Sequence, residues 1–208
     1  MSGPSIAIID YGAGNLRSVA KALESLGATP LVTSDPKEMD AADALILPGQ
    51  GACDSAMVAL EGHELIGYVQ QAIASGKPFF GVCLGLQLLF DSTEEGNAQC
   101  LGIIPGRVKR FPPGLKVPHM GWNTVELQNP EHPVFADIPH GSHFYFVHSF
   151  YAEPESPEVV AATTEYGLDF CSAVAQGNLV ATQFHPEKSG PTGLRLYANF
   201  LRMVGSLA

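Results

Sequence analysis

The sequence predicts one α/β domain over residues 1–208, a central, mostly parallel sheet covered by helices, with antiparallel additions in the C-terminal half. Three observations predict it. Apolar runs in the first third alternate with segments of helical period. Those runs show no polar alternation, as expected of strands buried on both faces. From about residue 101, strand-like runs follow one another with few helices between them.

The first strand is Ser5-Ile6-Ala7-Ile8-Ile9-Asp10, followed by the turn Gly12-Ala13-Gly14. A helix then carries Leu16, Val19, Ala20, Leu23 and Leu26 on one face, matching the i, i+3, i+4, i+7 spacing. Ala44-Leu45-Ile46-Leu47 is a second buried strand, stopped by Pro48-Gly49. A helix near Leu65–Ala74 leads to a third strand, Pro78–Val82, with Leu84–Phe90 helical after it. The later strands are Arg107–Phe111, Asn123–Leu127, His143–Phe150, Val159–Thr164, Cys171–Ala175 and Leu179–Phe184. A last helix over Thr192–Val204 aligns Leu194, Tyr197, Leu201 and Val204. No repeat or linker divides the chain.

Composition narrows the function. Hydrophobic residues make up 46% of 208 and charged ones 15%, enough for a sizeable core and contrary to disorder. Against 21 acidic residues stand 11 basic ones, a net charge of −10 that disfavours nucleic acid and anionic membranes. Arg107, Lys109, Arg110 and Lys116 form a local exception, read as a solvated edge or a docking surface for an acidic partner. Met1-Ser2-Gly3-Pro4 lacks a basic segment and Ser5–Asp10 is too short for a signal core, so no leader is expected. No run approaches the length of a membrane span. Cys53, Cys83, Cys100 and Cys171 form no CxxC pair, which points to a reducing, cytoplasmic setting rather than a disulfide scaffold.

The sharpest motif is Gly81-Val82-Cys83-Leu84-Gly85, placed where an apolar strand turns into a helix. This is the nucleophile-elbow pattern with cysteine in the serine position. The flanking glycines let strand and helix approach closely. A helix N-terminus favours thiolate over thiol, and the Leu84 N–H points towards a developing oxyanion. The alternative is a buried structural cysteine. His185-Pro186-Glu187 supplies a base and its orienting carboxylate, both presented at the end of a strand. Pro48-Gly49-Gln50-Gly51 follows another strand at the same rim, as a second oxyanion donor or simply a turn. Gly12-Ala13-Gly14-Asn15-Leu16-Arg17 starts like a dinucleotide fingerprint, but Arg17 replaces the third glycine. His140, His143 and His148 make a poor metal set, because 143 and 148 face opposite sides of one strand. Trp122, in the glycine-bearing loop His119-Met120-Gly121-Trp122-Asn123, is either core or contact surface.

The Gly-x-Cys-x-Gly elbow, the distant His-Pro-Glu and the Pro-Gly-x-Gly loop together resemble the triad-type (class I) glutamine amidotransferases. The resemblance covers essentially the whole chain. It extends to Ile9-Asp10-Tyr11-Gly12-Ala13-Gly14-Asn15-Leu16, Pro118-His119-Met120-Gly121-Trp122-Asn123, Tyr145-Phe146-Val147-His148-Ser149 and Gln183 through Ser189. It implies that Cys83 is the nucleophile, His185 the general base and acid, and Glu187 the group orienting the imidazole. It further implies that Gln87, Glu95, His148 and Ser149 hold L-glutamine, and that Gly49 and Gln50 contribute a mobile oxyanion peptide beside Leu84. The chain departs from the family at Gln50, often aliphatic there, and at Phe150, often tyrosine.

The resemblance implies hydrolysis of glutamine to glutamate and ammonia through a cysteinyl thioester. No synthase segment is legible, so the ammonia-consuming site is expected on another polypeptide, which the resemblance implies is a (β/α)₈-barrel cyclase forming a heterodimer with this chain. A triad supplies nucleophile, acid and base by itself, so no metal or organic cofactor is expected. The rival readings are a glutaminase feeding a different synthase, a cysteine hydrolase acting on esters or peptides, and a binding module with a structural elbow.

Overall fold

Burial on both faces organises the first half of the chain. The computed structural model describes residues 3–96 and 98–205; Met1 and Ser2, on which the absence of a leader was partly read, lie outside them. β1 (Ser5–Ile9) leads through α1 (Leu16–Ser25) to β2 (Thr29–Thr33). Next come α2 (Pro36–Ala41), β3 (Ala44–Gly49), α3 (Cys53–Gly62), α4 (Ile66–Ala74), β4 (Phe79–Cys83) and α5 (Leu84–Gln87). The strands β2-β1-β3-β4 lie side by side and parallel. Their side chains alternate between two cores. Ile6, Ile8, Ile46 and Phe80 pack with α1 on one face, and Ile9, Leu45, Leu47 and Phe79 pack with α3 and α4 on the other. Ile6, Ile8 and Ile9 are fully buried, each contributing about 1.5–3 kcal/mol. That double burial is why these runs show no polar alternation.

The second half adds β5 (Ser92–Thr93), β6 (Gly106–Arg110), β7 (His119–Leu127), β8 (Ser142–His148), β9 (Phe150–Pro154), β10 (Val160–Glu165), β11 (Asp169–Gln176), β12 (Leu179–Thr182) and α6 (Gly190–Gly205). β12 pairs parallel with β4 and antiparallel with β11, so it is the seam between the two halves. The path continues through β10, β7 and β8, while β5, β6 and β9 branch from β11. α6 covers the face of α1, with Tyr197 and Phe200 against Phe80 at ring separations of 5.4 and 5.2 Å.

Four expectations need correction. His119–Asn123 is not a loop but the start of β7, paired residue for residue with β8. The strand expected over His143–Phe150 is two, β8 and β9, broken at Ser149. Leu84–Phe90 holds only one helical turn, α5, because 3₁₀-type bonds take over at Leu89 and Phe90. β12 ends at Thr182 rather than Phe184: Gln183 N–H turns to Ser172 O of β11 and His185 N–H to Tyr145 O of β8. The basic cluster is partly neutralised, since Arg107 and Lys109 both pair with Glu153 at 3.1 and 3.2 Å. Among the described residues no helix is long and apolar enough to cross a membrane.

Candidate active site

The elbow forms as its glycines require. Cys83 sits at φ 55°, ψ −104°, a left-handed conformation costing a non-glycine residue about 1–3 kcal/mol and held only where the surroundings over-determine it. Those surroundings are tight. A Cβ on Gly81 would lie 2.9 Å from Ala181 Cβ, and one on Gly85 would collide with the Leu47 carbonyl oxygen. β4 and α5 are thereby locked against β3 and β12.

Parallel pairing brings three strand ends to one rim, where ligands bind in such sheets. Gly49 pairs with Cys83 across β3 and β4, and Thr182 with Val82 across β12 and β4. A Cβ on Gly49 would meet Leu84 Cβ at 2.6 Å, so glycine is required for the close approach to the elbow. Gln50 is exposed and Gly51 takes φ 102°, leaving the loop beside Cys83 weakly constrained. Tyr11 anchors its base, donating from its hydroxyl to Pro48 O at 3.1 Å.

Three residues beyond the end of β12, His185 Nδ1 meets Glu187 Oε1 at 2.8 Å, both side chains buried. The pair does not arise from strand alternation. Pro186 opens a 3₁₀ turn over Pro186–Lys188 that folds Glu187 back under the ring. Burial disfavours charge on His185, but the neighbouring Cys83 sulfur and Glu187 more than offset it, and the imidazole is pushed up to about 9. His185 Nε2 has no hydrogen-bond partner and is available to a proton donor.

Cys83, Leu84, Gln50, Gly51, Gln87, Glu95, His148, Ser149, Phe150, His185, Lys188, Pro118 and Val147 line a cleft of about 220 Å³. Every candidate residue except Gly49 and Glu187 reaches its wall; Glu187 is joined to it through His185. A larger open groove of about 650 Å³ lies at the opposite end of the strands, between Asp40, Tyr68, Lys77 and Asn178, and no cysteine or histidine lines it. Glu95 accepts the Cys53 N–H at 2.8 Å, which ties the cleft wall to the start of α3.

His148 lines the cleft with its ring. Its Nδ1 faces Phe150 O at 2.8 Å and its Nε2 faces His119 Nδ1 at 2.9 Å, so both nitrogens are occupied within the protein. Because a carbonyl can only accept, His148 carries its proton on Nδ1 and His119 donates to its Nε2. Asn123 closes the chain at 3.2 Å from His119 Nε2. Burial holds both imidazoles neutral, pushing His119 down to about 4 and His148 to about 3. His148 therefore braces the wall of the cleft with its ring. His143, as its odd spacing from 148 predicts, is exposed, and among the described residues no group of three His, Cys, Asp or Glu side chains could hold a metal.

Sequence reasoning assigned no role to Gln183. Fully buried, it donates from Nε2 to Cys83 Sγ at 3.6 Å and accepts from Gln87 Nε2 at 3.0 Å. The available signal was a polar residue prolonging an apolar strand two positions before His185.

The chain belongs to the class described as "Glutamine amidotransferase class-I", whose profile matches residues 7–204. It is 52% identical over 200 residues to the imidazole glycerol phosphate synthase subunit HisH of Dehalococcoides mccartyi, covering 96% of this chain and 97% of that one. It is 52% identical over 207 residues to HisH of Thermosynechococcus vestitus, covering 98% and 99%. Within the class, its family is that of HisH, the glutaminase subunit of imidazole glycerol phosphate synthase. Among solved structures, PurLQS from Thermotoga maritima superposes with a TM-score of 0.77 at 19% identity, covering 97% of this chain and 99% of that one. A structure described as a glutamine amidotransferase gives 0.75 at 23%, covering 96% and 98%. These two show the fold.

Proposed function

We propose that Cys83 attacks the carboxamide of L-glutamine while His185 takes the thiol proton on Nε2 and Glu187 holds the imidazolium. The reading rests on the convergence of an elbow cysteine at the end of β4 with a buried His–Glu pair just beyond the end of the adjacent β12. Leu84 N–H and the 49–50 peptide stabilise the oxyanion. The His185 proton passes to departing ammonia, leaving a thioester on Cys83. Water, deprotonated by His185, then releases glutamate and restores the thiol. Glu95 and Lys188 give the cleft one charge of each sign, suited to a zwitterionic amino acid. Gln87 and Ser149 shape the wall against it.

As a glutaminase subunit acting in histidine biosynthesis, the chain delivers ammonia to a cyclase partner, which we infer to be a (β/α)₈ barrel in a cytoplasmic heterodimer. Met120 and Trp122, 62% and 57% exposed on β7, offer an apolar face near the cleft for that subunit. The test is glutamate release by the chain alone, with the cyclase, and with the cyclase plus its nucleotide ligand. Rising rates support a coupled glutaminase; equal rates in all three refute the coupling.

A further inference from the structure

The elbow leaves a problem that the triad alone does not solve. α5 is four residues long, so its dipole is that of one turn and offers a thiolate little help. His185, once it has taken the thiol proton on Nε2, is one donor towards the sulfur. A second comes from Gln183.

Its polarity can be worked out from the hydrogen-bond network, which is how amide orientations are assigned. Phe150 O, a backbone carbonyl, only accepts, and two groups converge on it: His148 Nδ1 at 2.8 Å and Gln87 Nε2 at 2.9 Å. Reversing the Gln87 amide would set two oxygens face to face, so its nitrogen must point to Phe150. The same nitrogen bonds the Gln183 oxygen at 3.0 Å. On the far side of Gln87, its own oxygen is left for Cys53 Sγ at 3.8 Å, a weak thiol donor. With its oxygen committed to Gln87, Gln183 can present only N–H to Cys83 Sγ, at 3.6 Å. A carbonyl 67 positions from Cys83 in sequence thus dictates that a donor faces the sulfur.

We propose that Gln183 is a further catalytic residue, an amide donor that stabilises the Cys83 thiolate before attack and releases it as the sulfur bonds to carbon. This rests on Cys83 being the nucleophile. The thiol proton goes to His185 Nε2, and Gln183 keeps both of its own. In the resting thiol, Cys83 Sγ donates to Val147 O at 3.9 Å. Ionisation removes that bond, since an anion gains nothing from a carbonyl, but strengthens the one from Gln183, because a charged acceptor roughly doubles a hydrogen bond. The donor therefore discriminates between the two protonation states.

The experiment follows alkylation of Cys83 by iodoacetamide in the full chain, read by peptide mass spectrometry across pH 5–10, with thermal melting as the folding control. Gln183→Met keeps the volume and removes the amide. Gln183→Glu keeps an acceptor for Gln87 but offers the sulfur a carboxylate. Losing a hydrogen bond to a charged group is expected to slow alkylation at pH 7 about tenfold in Gln183→Met and to move its midpoint up by about one pH unit, with a larger shift in Gln183→Glu. Wild-type rates and midpoints in either folded variant overturn the proposal. Glutamine protection of Cys83 in the wild type separates the two claims: without protection the nucleophile reading fails, whereas protection with unchanged Gln183 variants defeats only the role of Gln183.

Discussion

Gly193→Ala tests whether α6 positions the catalytic turn. Gly193 is buried on α6 where the helix presses against the 3₁₀ turn carrying Glu187. A Cβ there would collide with the Pro186 carbonyl oxygen and lie 2.8 Å from its carbon and 2.9 Å from Ser189 Cβ. Carbon atoms in good contact stand about 3.5–4.0 Å apart, so the turn must retreat by roughly 0.7 Å or more. Pro186 lies between His185 and Glu187, so the retreat opens a 2.8 Å hydrogen bond. Overpacking of this kind costs about 1–3 kcal/mol, which in a domain of this size lowers Tm by about 3–10 °C. A displacement approaching 1 Å at the catalytic groups is expected to cut glutamine turnover about a hundredfold. Gly67→Ala on α4 is the control: its Cβ would meet nothing within 4 Å, and melting is expected to hold or rise slightly. Calorimetry with the glutamate assay in the presence of the partner reads both effects. Wild-type turnover in Gly193→Ala would refute the claim that α6 sets the position of Glu187.

Cys83→Ser is expected to abolish glutamine hydrolysis with the fold intact, whereas serine at Cys53, Cys100 or Cys171 leaves most activity; substantial turnover in Cys83→Ser contradicts the mechanism. Glu187→Gln is expected to lower kcat by two orders of magnitude or more with little change in KM, as loss of the group stabilising an imidazolium does; equal kcat values would show that the carboxylate is structural. Stability is expected to fall on both sides of about pH 6.5. His119 and His148, held down at about 4 and 3, take up protons in the unfolded chain first, so stability is lost as pH falls from 6.5. His185, raised to about 9, contributes fully below 6.5 and loses that contribution as pH rises through 9. Melting at pH 4.5 and 7 checks the acid side. His119→Phe should narrow that difference, and an unchanged difference would remove His119 as its source.

The parts legible in the sequence are those whose meaning is local. Strands buried on both faces announce themselves as unbroken apolar runs, and the elbow carries its own glycines. β2 was missed because it is an edge strand with Pro30 inside it and Leu31 and Val32 exposed, so neither run nor alternation survives. α3 was missed because Val58, 69% exposed, interrupts the apolar face made by Ala56, Met57 and Leu60. Gln183 and His119 were missed for another reason. Each is defined by partners far along the chain: Gln183 by Gln87 and Cys83, His119 by His148. No periodicity or motif within a window reports such pairings.

The seam at β12 divides the labour of the site. On its parallel side, β3 and β4 bring the oxyanion loop and the elbow to one rim, packed so closely that Gly49, Gly81 and Gly85 exclude any side chain. Atoms held that way cannot adjust without breaking the core. On its antiparallel side stand β7, β8 and β9, which supply His148, Ser149 and Phe150 to the cleft and expose Met120 and Trp122 outside it. A subunit docking on β7 would press on this wall, not on the elbow. The histidine chain through His119 and His148 connects the wall by hydrogen bonds to Phe150 O, where Gln87 and through it Gln183 are held. Under the proposed mechanism, regulation by a partner thus has two points of entry, the exposed loop at Gln50 and the Phe150 carbonyl. The triad itself is left as a fixed point against which both can move.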